Sequence, residues 1–133
     1  MIFMQQYSQT FNIKDFKDLL VWQKASQVNY EIYLKSKNFP KEERFELTSQ
    51  LLRCSSSVAA NIAEGNGQLY AKKEVKFYNN ALESCSEARC WIHIALQRKY
   101  ISDEDYNYFD SKLIEIVKML YGCIKRLNII IAT

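Results

Sequence analysis

The sequence predicts an all-α protein with the architecture of an antiparallel up-down-up-down four-helix bundle. Its 133 residues are 48% hydrophobic and include only three glycines and one proline. Because tight turns depend heavily on these two residue types, a many-stranded β fold is not expected. Four long stretches carry apolar residues at intervals of three and four, which is the period of an amphipathic α-helix, and the connections between them are short.

Residues 1–14 show no helical period and are predicted to form an N-terminal arm, so the bundle is expected over residues 15–133. The first helix opens at Phe16 and should end before Pro40, because the residue before a proline disfavours the helical conformation. Its apolar side chains fall on two faces, and both must be buried, which is the first indication of an oligomer. One face carries Val21, Ala25, Val28 and Ile32, and the other carries Leu19, Trp22, Ser26, Asn29 and Tyr33.

The second helix is expected from Pro40 to about Glu64, with room for a kink near Leu47-Thr48, small residues in its middle and a stop at Gly65 or Gly67. The small residues allow a neighbouring helix to approach closely. Polar groups beside a packed core need hydrogen-bond partners, so a stripe of polar side chains here and on the third helix is predicted to form a structural polar seam. Its members are Gln50, Ser57, Asn61, Glu64, Ser84 and Glu87.

Two interpretations of this seam remain open. It either satisfies a tight helix crossing, or it makes Glu64 and the following loop part of a binding site. In the first case Asn61 and Glu64 brace the turn from inside, through hydrogen bonds toward Ser84, Arg89 or a loop amide.

The third helix, from about Ala71 to Lys99, has the most regular period in the chain. Two adjacent seams run along it: Val75, Tyr78, Leu82, Cys85, Arg89, Ile92 and Leu96 form one, and Phe77, Ala81, Ser84, Ala88, Trp91 and Ala95 form the other. The fourth helix follows an N-cap at Ser102 or Asp103. Its core stripe is predicted to be Tyr106, Phe109, Leu113, Ile116, Leu120, Cys123 or Ile124, and Leu127.

The residues do not assemble a catalytic or metal site. His93 is the single histidine, and no Ser-His or Cys-His pair follows from the spacing. A di-metal bundle would use two Glu-x-x-His motifs, and the chain has none. We therefore expect a protein that is not an enzyme and takes no cofactor. The first residues do not resemble a signal peptide and no apolar run approaches the roughly 20 residues of a membrane span, so a cytoplasmic protein is expected, without membrane association.

The middle of the chain resembles the signature of the four-helix-bundle proteins encoded in intervening sequences of 23S rRNA genes. The resemblance rests on the segment SQLLRCSSSVAANIAEGNG, with its Asn-Ile-Ala-Glu-Gly block at residues 61–65, and extends over residues 16–127. It implies a ring-like homopentamer related to the accessory proteins of diversity-generating retroelements, which assist a reverse transcriptase and contact nucleic acid. The family usually has arginine where Gln68 stands and glycine where Glu83 stands, and the missing arginine weakens the case for RNA binding.

The bundle topology collects basic side chains at one end, where the second and third helices are joined. The net charge is only +3, which permits nucleic-acid contact without requiring it. The residues predicted to bind nucleic acid, without base specificity, are Lys72, Lys73, Lys76, Lys125 and Arg126. The first hypothesis is therefore a non-catalytic oligomeric scaffold for structured RNA or DNA, working beside a reverse-transcriptase-like or other nucleic-acid enzyme. The alternative is a protein–protein assembly module without a nucleic-acid role.

Overall fold

Four α-helices account for most of residues 14–133, which are the residues that this computed structural model describes. They are α1 (Leu20–Ser36), α2 (Leu47–Asn66), α3 (Ala71–Gln97) and α4 (Asp103–Ala132). Short 3₁₀ turns at Phe16–Asp18 and Lys41–Glu43 precede α1 and α2. The described part of the chain contains no β-strand, so the all-α prediction is confirmed. The predicted N-terminal arm lies outside the described residues except for Lys14.

The core is built from one stripe of each helix. The predicted stripe of α4 is buried along Phe109, Leu113, Ile116 and Leu120, as the spacing indicated. On α1 the buried face is Val21, Ala25, Val28 and Ile32. The second apolar face of α1 is only half-covered: Leu19 and Trp22 pack against the core, whereas Tyr30 and Tyr33 are exposed and stack at 6.4 Å between ring centroids.

Contacts at the helix ends are compatible with an antiparallel up-down-up-down order. Near the end of α1, Lys35 pairs with Asp105 in the first turn of α4 at 2.8 Å. At the opposite end of the bundle, Leu19 before α1 and Asn66 at the end of α2 line the same cleft as Leu127 near the end of α4. Among the described helices, none is long and apolar enough to cross a membrane.

The start of α2 is interrupted near Leu47, where a kink was foreseen, but the interruption is a full break. The chain makes the Lys41–Glu43 turn and begins a new helix at Leu47. The break is local, because Glu46 adopts φ −120° and ψ −98°, outside the helical region. The turn places Glu43 inward, against residues that follow α3.

The buried stripe of α3 also differs from the two predicted seams. It runs Tyr78, Ala81, Cys85, Ala88, Ile92 and Ala95, and takes alternate members from each seam. Arg89, predicted within a seam, lies at the rim, where its Nε donates to Asp110 Oδ1 at 2.7 Å. Small residues occupy every second position of the observed stripe because α3 packs between α2 and α4, and the two neighbours approach its axis from either side.

Glu43 is the centre of a buried charge cluster at the end of the bundle formed by the α3–α4 connection. Its side chain is 7% exposed, and its Oε2 accepts hydrogen bonds from the Tyr100 hydroxyl at 2.8 Å and from Arg98 Nη1 at 2.5 Å. The hydrogen bond from Tyr100, supported by Arg98, lowers the pKa of the Glu43 carboxyl below its ordinary value of 4.5. A buried carboxylate with two donors is stabilised in its charged form.

This lowered pKa predicts acid sensitivity. Because the folded state holds Glu43 deprotonated more strongly than the unfolded chain does, its contribution is complete above about pH 4.5 and is lost as the pH falls through the lower, folded-state pKa. Thermal unfolding should therefore show Tm falling below this pH. The Glu43→Gln variant should show a smaller fall over the same range, and a Tm profile parallel to the wild type would contradict this assignment.

Candidate nucleic-acid interface

One end of the bundle carries a cluster of basic side chains, which we call the basic end. It comprises the start of the described chain, the α2–α3 connection and the last turns of α4. Its basic residues are Lys14, Lys17, Lys72, Lys73, Lys76, Lys118, Lys125 and Arg126, all exposed. Against these eight stand four acidic residues, Asp15, Asp18, Glu64 and Glu74. The opposite end has six basic and seven acidic residues and is close to balance.

The two ends differ in ion pairing as well as in composition. At the opposite end Arg98 pairs with Glu43 and Glu46, and Lys35 pairs with Asp105. At the basic end, the ion pair within the described residues is Lys17 with Asp15, at 3.9 Å. None of the five predicted nucleic-acid-binding residues pairs with a described carboxylate. Residues 1–13 contain no acidic side chain to serve as a partner.

Lys72, Lys73 and Lys76 lie in the first two turns of α3. The start of this helix has no side-chain cap, so free backbone amides add positive potential there. Lys73 Nζ lies 5.8 Å from the ring centroid of exposed Tyr70, which places an aromatic face beside the cation. Cations next to an exposed ring and free amides form a surface suited to phosphate and to stacked bases.

A cleft of about 290 Å³ lies between the start of α3 and the end of α4 and is lined by both apolar and charged side chains. Arg126 and Lys14 line it together with Glu74 and Tyr78. The Tyr78 hydroxyl donates to Glu74 Oε2 at 2.7 Å, and burial followed by this carboxylate raises the pKa of the tyrosine. Glu74 is thus engaged by Tyr78, which leaves Arg126 without an ion-pair partner among the described residues.

Three of the six predicted polar-seam residues meet between α2 and α3. Ser84 Oγ donates to Ser57 Oγ at 3.0 Å, and Asn61 Nδ2 donates to Ser57 Oγ at 3.0 Å and to the Ser57 carbonyl at 2.9 Å. This bridge fits the first interpretation, a satisfied helix crossing. Of the three partners considered for Asn61, namely Ser84, Arg89 and a loop amide, the described hydrogen bonds link it to Ser84, through Ser57.

The other three seam residues lie apart from the bridge. Gln50 Oε1 accepts from Arg53 on the same helix, and the side chains of Glu64 and Glu87 are exposed. Glu64 therefore does not brace the turn from inside as expected; its backbone carbonyl accepts from Gln68 Nε2 at 3.1 Å. Without a basic partner in the core, a carboxylate is more stable in water.

Removal of the bridging hydroxyl should be measurable. Ser84→Ala is expected to lower the free energy of unfolding by about 1 kcal/mol, the usual contribution of one partly buried hydrogen bond. Urea unfolding of Ser84→Ala against Ser86→Ala, an exposed serine on the same helix, provides the comparison. Equal midpoints for the two variants would show that the bridge adds nothing to stability.

Two features of this end were missed at the level of sequence. Asn66, which lies between the two glycines where the second helix was expected to stop, is only 7% exposed. The Glu74–Tyr78 pair has the i, i+4 spacing of a helical contact, which could have revealed it.

Elsewhere, burial raises the pKa of both the Cys54 and Cys85 thiols to about 12, so they stay protonated near neutral pH. Within residues 14–133 no cluster of three or more His, Cys, Asp or Glu side chains could hold a metal ion.

Comparison with known proteins links residues 17–122 to a family model described as 23S rRNA-intervening sequence protein. A crystal structure of a protein of unknown function from Bacteroides thetaiotaomicron, assigned to the S23 ribosomal protein family, has a similar fold, with a TM-score of 0.73 and 26% sequence identity. The similarity covers 80% of this chain and 99% of that one. Among curated proteins, none is similar enough to count as a match.

Proposed function

Because the chain belongs to the 23S rRNA-intervening sequence protein family, we propose that it is a non-catalytic, oligomeric scaffold in the cytoplasm that binds structured RNA or DNA through its basic end. The observation that carries this proposal is the charge balance: eight basic residues stand against four acidic ones at the basic end, and none of the five predicted nucleic-acid-binding residues pairs with a described carboxylate. Unpaired cations keep their counterions and can exchange them for phosphates.

The contact is with the nucleic-acid backbone. Lys72, Lys73 and Lys76 are point charges on exposed helical positions, and lysine makes few geometrically demanding contacts to phosphate. Major-groove readout requires a projecting helix or ribbon, and the described residues place α3 with its long axis packed in the bundle. Binding therefore depends on the charge and shape of the nucleic acid and not on its base sequence.

Self-association multiplies this charge. In a closed ring of identical subunits, each basic end lies on the same side, so a modest excess per subunit becomes a basic face. Exposed apolar side chains on the described helices, including Tyr30, Leu34 and Phe45, supply surface that an oligomer would bury. We propose that the ring is a homopentamer. We also propose that its basic face works beside a nucleic-acid enzyme of the reverse-transcriptase kind.

The test is the salt dependence of binding by the unmodified protein. Fluorescence anisotropy with a labelled structured RNA and a labelled duplex DNA should give affinities that fall linearly with the logarithm of salt concentration, with little difference between scrambled sequences. Affinity that does not respond to salt, or no binding at low salt, would refute the proposal.

A second candidate function rests on a separate surface. An open groove of about 470 Å³ between α1 and α2 is lined by Ser26, Asn29, Tyr30, Tyr33, Leu52 and Ser56. Small residues on its floor and exposed aromatic rings on its wall suit a partner helix or loop. In this case the protein is a protein–protein assembly module, and Tyr30→Ser should change its mass in light scattering while nucleic-acid binding remains absent.

A further inference from the structure

The α2–α3 connection carries two large apolar side chains in solvent. Leu69 is 90% exposed and Tyr70 is 66% exposed, and within residues 14–133 neither packs against the core. At that exposure Leu69 touches too little to shield its neighbour. The ring of Tyr70 also takes no part in the aromatic pairs found within the described residues. It therefore presents an open aromatic face at the basic end.

The backbone around Tyr70 is fixed on both sides by hydrogen bonds. Before it, the backbone N–H of Gln68 donates to the carbonyl of Gly65 at 3.1 Å. After it, the carbonyl of Tyr70 accepts from the backbone N–H groups of Lys73 and Glu74, at 3.1 and 3.0 Å. An aromatic ring on an ordered turn loses little conformational entropy when a ligand contacts it, so the position is suited to binding.

Three cations surround this ring. Lys73 Nζ lies 5.8 Å from the ring centroid of Tyr70, near the outer limit of a cation–π contact, so a phosphate can draw it away. Lys72 and Lys76 are exposed on the same two helical turns, within about 6 Å of each other along the axis at 1.5 Å per residue. The carboxylate of Glu74, which lies between them in the chain, is engaged by a tyrosine hydroxyl one turn further on.

An open ring beside cations has the chemistry that recognises an unpaired base next to its own phosphates. In a duplex the neighbouring base pairs cover both faces of each base, whereas bases in loops, bulges and single strands can be turned out and stacked on a side chain. Every base has a π-face, so such stacking does not select a base sequence. It selects the paired or unpaired state of the nucleic acid.

We propose that Tyr70 stacks on an unpaired base while Lys72, Lys73 and Lys76 contact the adjacent phosphates. The basic end then prefers nucleic acid with single-stranded loops over a fully paired duplex. This inference rests on the proposed function, because it names the class of nucleic acid that the same surface takes.

Fluorescence anisotropy with two labelled RNAs measures this preference. One RNA is a hairpin with a large unpaired loop, and the other is a fully paired duplex with the same number of phosphates. Tyr70→Ser should weaken hairpin binding on the order of tenfold and leave duplex binding and the salt slope unchanged, since no charge is lost. Tyr70→Phe keeps the ring and should bind as the wild type does. Tyr70→Leu keeps only an apolar side chain and should be as weak as Tyr70→Ser.

The matched control is Tyr108→Ser. Tyr108 is 43% exposed and has Lys112 Nζ at 5.5 Å from its ring centroid, a similar pair away from the basic end, so its loss should leave both affinities unchanged. Hairpin binding that survives in Tyr70→Ser or Tyr70→Leu would refute stacking and leave the proposed function standing. A wild type that binds neither RNA at low salt would refute both. A change of mass in light scattering for Tyr70→Ser would assign the ring to a contact between copies and overturn the inference.

Photo-crosslinking locates the stacked base directly. Iodouridine in the hairpin loop crosslinks on irradiation to an aromatic side chain that lies against it. Trypsin cleaves after Arg53 and Lys72, and the peptide between these sites, residues 54–72, contains Tyr70 as its single aromatic residue. The crosslinked RNA should therefore be attached to this peptide in the wild type and absent from it in Tyr70→Leu. Crosslinks confined to other peptides, or bound RNA that forms none, would contradict the assignment.

Discussion

Gly65→Ala is expected to destabilise the protein by about 1–3 kcal/mol, the range for an overpacked core. A Cβ added at Gly65 would lie 2.6 Å from Tyr78 Cε1, 2.9 Å from its Cδ1 and 3.2 Å from Phe77 Cβ. The Tyr78 ring is 3% exposed and is tethered through its hydroxyl to Glu74, so it cannot turn aside without losing that hydrogen bond. For a chain of this size the fall in Tm should be roughly 3–10 °C.

The control is the same substitution at Gly122. This glycine is also inside a helix, but a Cβ there meets nothing within 4 Å among the atoms around it. Alanine has the higher helix propensity, so Gly122→Ala should raise stability by about 0.5–1 kcal/mol. Opposite signs for the two substitutions, in thermal unfolding followed by circular dichroism, would locate the requirement for glycine in the close approach of α2 and α3. A Gly65→Ala protein as stable as the wild type would show that Tyr78 has room to move.

This close approach explains part of the residue pattern on which the family resemblance rests. Gly65 closes the Asn-Ile-Ala-Glu-Gly block, and its bare backbone lets α2 meet the start of α3 just before the chain reverses. The same approach places Tyr78 where it engages Glu74. A bulkier residue at position 65 would displace Tyr78, which lines the cleft between α3 and α4, so packing and charge are connected at the basic end.

The sequence was sufficient to predict helix number and the core of α4. Phe109, Leu113, Ile116 and Leu120 alternate spacings of four and three, which is the period of one helix face, and all four are buried. The family resemblance was confirmed over residues 17–122. The polarity of the two bundle ends followed from helix order, because charged residues near successive helix termini gather at alternate ends.

The remaining details depend on neighbours that are distant in sequence. On α3 both predicted seams have a regular helical period, so the sequence does not show which residues of each seam are buried. The observed stripe takes its alanines from one seam and Tyr78, Cys85 and Ile92 from the other. The choice is made by α2 and α4, which lie on both sides of it. In the sequence, Glu43 likewise has the position of an acidic residue that stabilises the start of a helix through the helix dipole. Glu43 is buried because it contacts Arg98 and Tyr100, which lie 55 and 57 residues further along the chain. A local sequence pattern does not predict a contact at this separation.

Replacing Lys72, Lys73 and Lys76 together with alanine is expected to weaken nucleic-acid binding on the order of 10²-fold near 0.1 M salt, because each lost phosphate contact removes counterion release. The plot of log affinity against log salt should become shallower by about 2 to 3, in proportion to three lost cations. All three side chains are exposed and outside the described ion pairs, so thermal stability should not change. Anisotropy titrations over a range of salt concentrations measure both quantities.

The matched control removes the same charge from the opposite end. Lys37, Lys41 and Lys99 are also exposed, and among the described residues they too form no ion pair, so their triple alanine variant changes net charge equally. If general charge attracts the nucleic acid, both variants should lose affinity alike, and the basic end would not be the site. A triple variant of Lys72, Lys73 and Lys76 that binds as the wild type does would have the same consequence. Asn61→Ala adds a third comparison: a protein that melts normally and yet loses binding would move the contact inward, from the lysines to the bridge between Ser57 and Ser84.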